Sequence, residues 1–139
     1  MRQMLSVLLL ASVSGCIVYS DGGPPAPPAN SAPWFEYADA GCFWDGGYAD
    51  YVWYFDADVD DDLGTIDVQA VWADVYDDAT GELADSFELY PEVGKTWYSA
   101  WIGRTTWLDP AYPYYAVVLG ARDSEGAIGS TEVYPIPCY

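Results

Sequence analysis

The sequence predicts an all-β protein, an antiparallel β-sandwich of about seven strands preceded by a signal peptide and a proline-rich tether. Three observations carry this. From residue 34 onward apolar side chains recur with period two, turn signals interrupt them at regular spacing, and no segment has a 3.6-residue apolar period. Aromatic residues make up 17% of the chain, and their flat rings suit a pleated surface.

Two segments precede the strands. Residues 1–15 hold a cationic start (Arg2), an apolar stretch (Leu5, Val7, Leu8, Leu9, Leu10, Ala11, Val13) and a small-residue exit at Ser14 and Gly15. That is the form of a secretory signal, and its apolar run falls well short of the roughly 20 residues that cross a bilayer. Residues 16–33 place Pro24, Pro25, Pro27, Pro28 and Pro33 among Gly, Ala, Ser and Asn. Such a stretch has too little apolar surface to fold, and at about 3.1 Å per residue it would reach roughly 50 Å. The folded domain is expected over 34–139.

Within it, residues 50–60 alternate cleanly. Tyr51, Trp53, Phe55, Ala57 and Val59 form one face, and Asp50, Val52, Tyr54, Asp56, Asp58 and Asp60 the other. Residues 66–76 are apolar in both phases, which predicts a central strand or a bulge. The turn Asp77-Asp78-Ala79-Thr80-Gly81 leads into 83–90, with Leu83, Phe87 and Leu89 on one face. After the turn at 91–95 comes a short strand, 96–102, in which Trp97 and Trp101 share a face. Asp109-Pro110 opens a loop, and 114–122 follows with Tyr115, Val117, Leu119 and Ala121 inward. Asp123-Ser124-Glu125-Gly126 is a turn, and 127–134 is the last strand.

Two stretches resemble known families. Val13-Ser14-Gly15-Cys16, behind its signal, resembles the lipobox of bacterial lipoproteins. The resemblance implies cleavage before Cys16, lipid on its sulfur and an acyl chain such as palmitate on the new amino terminus. Several acyl chains would hold the protein stably on a membrane of the cell envelope. Ile17, in place of an Asp after the cysteine, implies the outer membrane, on its periplasmic or surface face. Leu108, Pro110, Tyr115, Val117, Leu119, Ala121 and Gly126 resemble the late strands of fibronectin type III and related immunoglobulin-like domains, and the stretch from Ala57 through Gly64 to Val68 is similar to bacterial immunoglobulin-like repeats. This implies an immunoglobulin-like sandwich, a fold that carries many functions.

With Cys16 assigned to the lipobox, Cys42 and Cys138 remain as an even pair near the two ends of the domain. In an exported protein they would form a disulfide, the alternative being two free thiols. A metal site built on them has little support, for the chain contains no His and no Cys-x-x-Cys. The formal net charge is −18, and beyond the signal only Lys95, Arg104 and Arg122 oppose 22 acidic residues. Such a charge repels nucleic acid and anionic lipid, leaving Cys16 as the route to a membrane.

Three function classes remain. Asp56, Asp58, Asp60 and Asp62, with Asp61 between them, Gly64 after them and Asp67 beyond, form an acidic turn whose alternating carboxylates could converge on Ca2+. It departs from an EF-hand loop at its sixth position and lacks the closing Glu, so a solvated turn is the competing reading. Tyr54, Tyr90, Tyr98, Tyr112 and Tyr134 could form an outer platform for stacking sugars, the competing reading being aromatic core packing. Catalysis has least support, because without His or a free Cys the common triads and His-ligated zinc are excluded. The sequence therefore predicts a non-catalytic structural or binding module without a required cofactor, whose partner is an envelope protein or a glycan.

Overall fold

The computed structural model describes residues 29–135, 137 and 138. The predicted signal peptide, Cys16 and the tether up to residue 28 lie outside them. Seven strands follow in order: β1 (Trp34–Asp45), β2 (Asp50–Asp60), β3 (Val68–Asp77), β4 (Leu83–Pro91), β5 (Thr96–Ile102), β6 (Tyr115–Asp123) and β7 (Ile128–Val133). Single 3-10 turns at Thr65–Asp67 and Gly103–Thr105 are the helical pieces among the described residues. The strands pair antiparallel throughout, in the order β1-β2-β5-β4-β3-β6-β7. The sheet curls into a nearly closed barrel, bringing β1 back against β7.

The period-two faces fill the interior. Phe55, Ala57 and Val59 from β2, Ala73 and Val75 from β3, and Leu119 and Ala121 from β6 have no exposed surface. Phe55 stacks on Phe87 of β4 with centroids 5.0 Å apart, so the two strands that flank β5 meet ring on ring inside the barrel. Tyr115, at the start of β6, sets its ring edge-on to Trp53, and its hydroxyl accepts the Asp109 N–H at 2.9 Å. The two strands apolar in both phases are explained by their neighbours. β3 lies between β4 and β6, and the outward Trp72 lays its indole across Gly120 of β6, where any Cβ would enter the ring. A strand roofed in this way needs no polar outer face.

Two bulges interrupt the alternation. In β4 the pairing passes from Val75↔Asp85 to Tyr76↔Leu83, which leaves Ala84 over and turns Leu83 outward, 55% exposed. In β1 the pairing skips Glu36, so Phe35 and Ala38 both face the core although their spacing is odd. Cys42 of β1 is bonded to Cys138, 96 positions along the chain, with Cα atoms 4.5 Å apart. The bond clamps the chain end onto the first strand.

Candidate functional site

The loop joining β2 to β3 folds inward. Gly64, at φ 92°, reverses the chain, its N–H donating to the Asp61 carbonyl and its own carbonyl accepting the Asp67 N–H, both at 2.9 Å. Asp61 is thereby tucked under, only 4% exposed, and its Oδ1 accepts the Leu63 N–H at 3.0 Å. From the neighbouring β6–β7 turn comes Asp123, 2% exposed, whose Oδ1 accepts the N–H groups of Glu125 (2.9 Å) and Ala127 (2.8 Å). The Ser124 hydroxyl donates to Asp67 Oδ1 and so joins the two turns. Asn30, just before β1, donates its Nδ2 to Asp123 Oδ2 at 2.5 Å.

Each of Asp61, Asp67 and Asp123 places an oxygen within 4.8 Å of the others. Asp61 and Asp67 each use one carboxylate oxygen to hold the loop; Asp61 Oδ2, Asp67 Oδ2 and the Asn30 amide oxygen are buried without a hydrogen-bond partner. The described ion pairs lie elsewhere, Lys95 with Glu36 and Arg104 with Asp50. Two carboxylates at this spacing repel by on the order of 3 to 4 kcal/mol at an effective dielectric near 20. Burial pushes the Asp61 carboxyl above its ordinary range against the Leu63 N–H, and the adjacent Asp62 carboxyl, by side-chain hydrogen bonding and charge, and the Asp67 charge add to the rise. Burial acts upward on Asp123 too, but the Asn30 amide and the N–H groups of Ala127, Glu125 and Gly126 outweigh it and hold that carboxyl low. An oxygen-only set of this kind, without thiolate or imidazole, offers ligands to a hard divalent cation.

The four carboxylates singled out from the sequence take other roles. Asp56 and Asp58 lie on β2 in the phase opposite Phe55 and Ala57, where Asp58 Oδ1 accepts the Thr96 hydroxyl at 2.7 Å. Asp60 Oδ1 accepts the Asp61 N–H, and Asp62 Oδ2 accepts the Ser31 N–H at 3.3 Å. Among the described residues, the three that converge are Asp61, Asp67 and Asp123. The acidic turn thus supplies two of the three from positions outside the alternating set.

The candidate platform tyrosines are also dispersed. Tyr54 lies over Gly41 with its hydroxyl donating to Asp39 Oδ2 at 3.2 Å, and its ring is tilted 44° from Phe43. Tyr90 and Tyr98 face each other across β4 and β5. Tyr112 packs edge-on to Tyr114 and Tyr115 and donates to Asp77 Oδ1 at 2.8 Å, while Tyr134 is exposed near the end of the chain. The half-buried indole of Trp72, lying across Gly120, borders a groove of about 840 Å³ lined also by Gln69, Glu88, Tyr90, Arg122 and Ile128. Sequence pattern missed it because Trp72 reads as a core residue in an apolar strand.

No known protein family and no curated protein matches the chain. A crystal structure of an engineered protein aligns with 81% of this chain at 19% identity and a TM-score of 0.43. The chain spans 21% of that protein's length, and a likeness at this level carries no argument about fold or function.

Proposed function

We propose that this protein is a lipid-anchored, non-catalytic module of the bacterial cell envelope, an immunoglobulin-like sandwich held off its membrane by the tether. The observation that carries the reading is the Cys42–Cys138 bond, since structural disulfides persist in exported proteins. It agrees with a signal ending in Val13-Ser14-Gly15-Cys16. Two further features support the sandwich. The β4–β5 pairing is short, Tyr90↔Tyr98 and Pro91↔Trp97, and a break there gives β1-β2-β5 and β4-β3-β6-β7, an immunoglobulin-like order with the fourth strand on the second sheet. The Tyr115 hydroxyl, reaching back six residues to the Asp109 N–H, has the form of a tyrosine corner.

The structural or binding role rests on chemistry. The chain has no His and its two domain cysteines are joined to each other, so Ser-His and Cys-His pairs have no members, and a carboxylate pair is the catalytic arrangement left to the 22 acidic residues. A glycan is the ligand class that suits the Trp72 groove, where an indole face is ringed by Gln69, Glu88 and Arg122; binding to purified peptidoglycan, lost in Trp72→Ala, checks that second reading. The anchor is tested by mass spectrometry of the amino terminus and by fractionation of a Cys16→Ser variant. A lipidated terminus at Cys16, and loss of membrane association in the variant, is the expected result. An intact Met1 with reduced Cys42 and Cys138 in the cytosol would overturn the proposal.

A further inference from the structure

We propose that Asp61, Asp67 and Asp123 form a calcium site that, through the Asn30 amide held on Asp123, fastens the tether to the domain. Geometry comes first. Calcium binds oxygens at about 2.4 Å, so two ligands of one ion lie at most about 4.8 Å apart. Asp61, Asp67 and Asp123 meet that limit pairwise.

The second observation is independent of the clustering of charge. Buried polar groups in folded proteins nearly always have partners. Six buried side-chain polar atoms lack one among the described residues, and Asn30 Oδ1, Asp61 Oδ2 and Asp67 Oδ2 are three of them. Asp61 is 4% exposed, so water does not satisfy it from outside. Asp61 and Asp67 each commit their other oxygen, to the Leu63 N–H and the Ser124 hydroxyl, while Asp123 is fixed through both of its oxygens by Glu125, Ala127 and Asn30. A cation supplies in one step the positive charge that all three carboxylates need and the partner that Asp61 and Asp67 lack.

The donor set selects the ion. Without nitrogen or sulfur it favours a hard cation over zinc or copper. Carboxylates drawn from irregular loops suit the larger, geometrically tolerant Ca2+, whereas Mg2+ demands a near-ideal octahedron and keeps most of its water.

The ligands come from the β2–β3 loop and the end of β6, and the segment before β1 joins them through Asn30, which donates to Asp123. Asn30 and Asp123 are 93 residues apart. The chain leading from Asn30 is further seated by the Ser31 N–H on Asp62 and by the Pro33 carbonyl, which passes where Gly129 has no side chain. An ion here therefore orders the base of the tether as well as two loops. This holds whether or not Cys16 carries lipid.

The test is calorimetric titration of the chelator-stripped full chain with CaCl2, then with MgCl2. One Ca2+ per chain is expected, with Kd in the range of about 10⁻⁵ to 10⁻³ M and weaker Mg2+ binding. Asp67→Asn should weaken binding by about tenfold or more, as removal of a charged ligand does, whereas Asp56→Asn should leave it unchanged. Asn30→Ala should weaken binding and speed proteolysis between residues 29 and 33 in the presence of calcium. The site is refuted if the folded wild type, checked by near-ultraviolet circular dichroism, shows no saturable binding by about 10 mM Ca2+. It is equally refuted if Asp56→Asn weakens binding as much as Asp67→Asn. Mg2+ bound as tightly as Ca2+ would overturn the choice of ion, and unchanged affinity in Asn30→Ala would remove the tether from the site.

Discussion

Replacing Asp61 by Asn separates a cation site from a purely structural carboxylate, because the two predict opposite signs. Asp61 Oδ1 accepts the Leu63 N–H while Oδ2 has no partner, and the carboxylate brings an oxygen within 4.8 Å of those of Asp67 and Asp123. The amide keeps the first bond and presents an N–H2 to those carboxylates. Without a cation it removes a buried, unpartnered acceptor, an effect of about 1 to 3 kcal/mol, and part of the repulsion worked out above. Asp61→Asn should therefore melt at or above the wild-type temperature in EDTA. With calcium at about 100 times Kd the wild type gains about 2.7 kcal/mol, equivalent to an increase of about 10 to 20 °C in a domain of this size, and a variant weakened about tenfold or more gains at most about half of that. Melting of both full-length proteins by circular dichroism, in EDTA and in CaCl2, gives the four temperatures needed. A variant less stable than wild type in EDTA, or one that keeps the calcium shift, would refute the reasoning.

Three other perturbations have definite outcomes. Reducing Cys42–Cys138 opens a loop whose ends are 96 residues apart, and urea melts with and without reductant should show a loss of about 2 to 5 kcal/mol; no change would mean that the staple adds nothing beyond the packing around it. Gly120→Ala puts a methyl group into the Trp72 indole and should cost about 1 to 3 kcal/mol, with a change in Trp fluorescence, whereas Gly81→Asn, at φ 73° in an open turn, should be close to neutral. The phenols of Tyr54 (through burial, then Asp39) and Tyr112 (through its bond to Asp77) are pushed up to about 12 from the ordinary 10.0. A raised phenol favours the neutral form in the folded state, so its stabilisation is complete below about pH 10 and disappears as pH rises to about 12. Urea midpoints should fall across that window, less steeply in Tyr112→Phe, and a flat profile would contradict the assignment.

What the sequence discloses divides along physical lines. β2 and β5 are legible to the residue because one face of each is buried and turns bound both ends. β1 is not, for the bulge at Glu36 places Phe35 and Ala38 on one side and Gly41 gives its outer position to the Tyr54 ring, so alternation is lost. Leu83 reads inward by parity, and only the unpaired Ala84 turns it out. The acidic turn is visible as composition, yet its period-two carboxylates are those a strand sends outward. Asp61 is buried because Gly64 folds the loop under, and Asp123 joins it through a pairing of β3 with β6 that spans Val68↔Asp123. Strand partners distant in sequence decide the cluster, and no local spacing reports them.

The cation and the disulfide would fasten opposite ends of the domain. β1 begins beside Asp60, near the acidic loop, and Cys42 lies close to its other end, opposite Trp53. The tether side is thus held by oxygens that need an ion, and the terminal side by a covalent bond. In an oxidising space the second is permanent, but occupancy of the first follows the free calcium concentration through its Kd. Depletion of calcium should release Asn30 and the two loops while leaving the Phe55–Phe87 core and Cys42–Cys138 intact. Hydrogen exchange should then rise at residues 29–33, 61–67 and 123–127, with β2 and β5 protected in both states. Uniform loss of protection over all strands would instead mean that the ion holds the whole fold, and the separation of the two fastenings would be wrong.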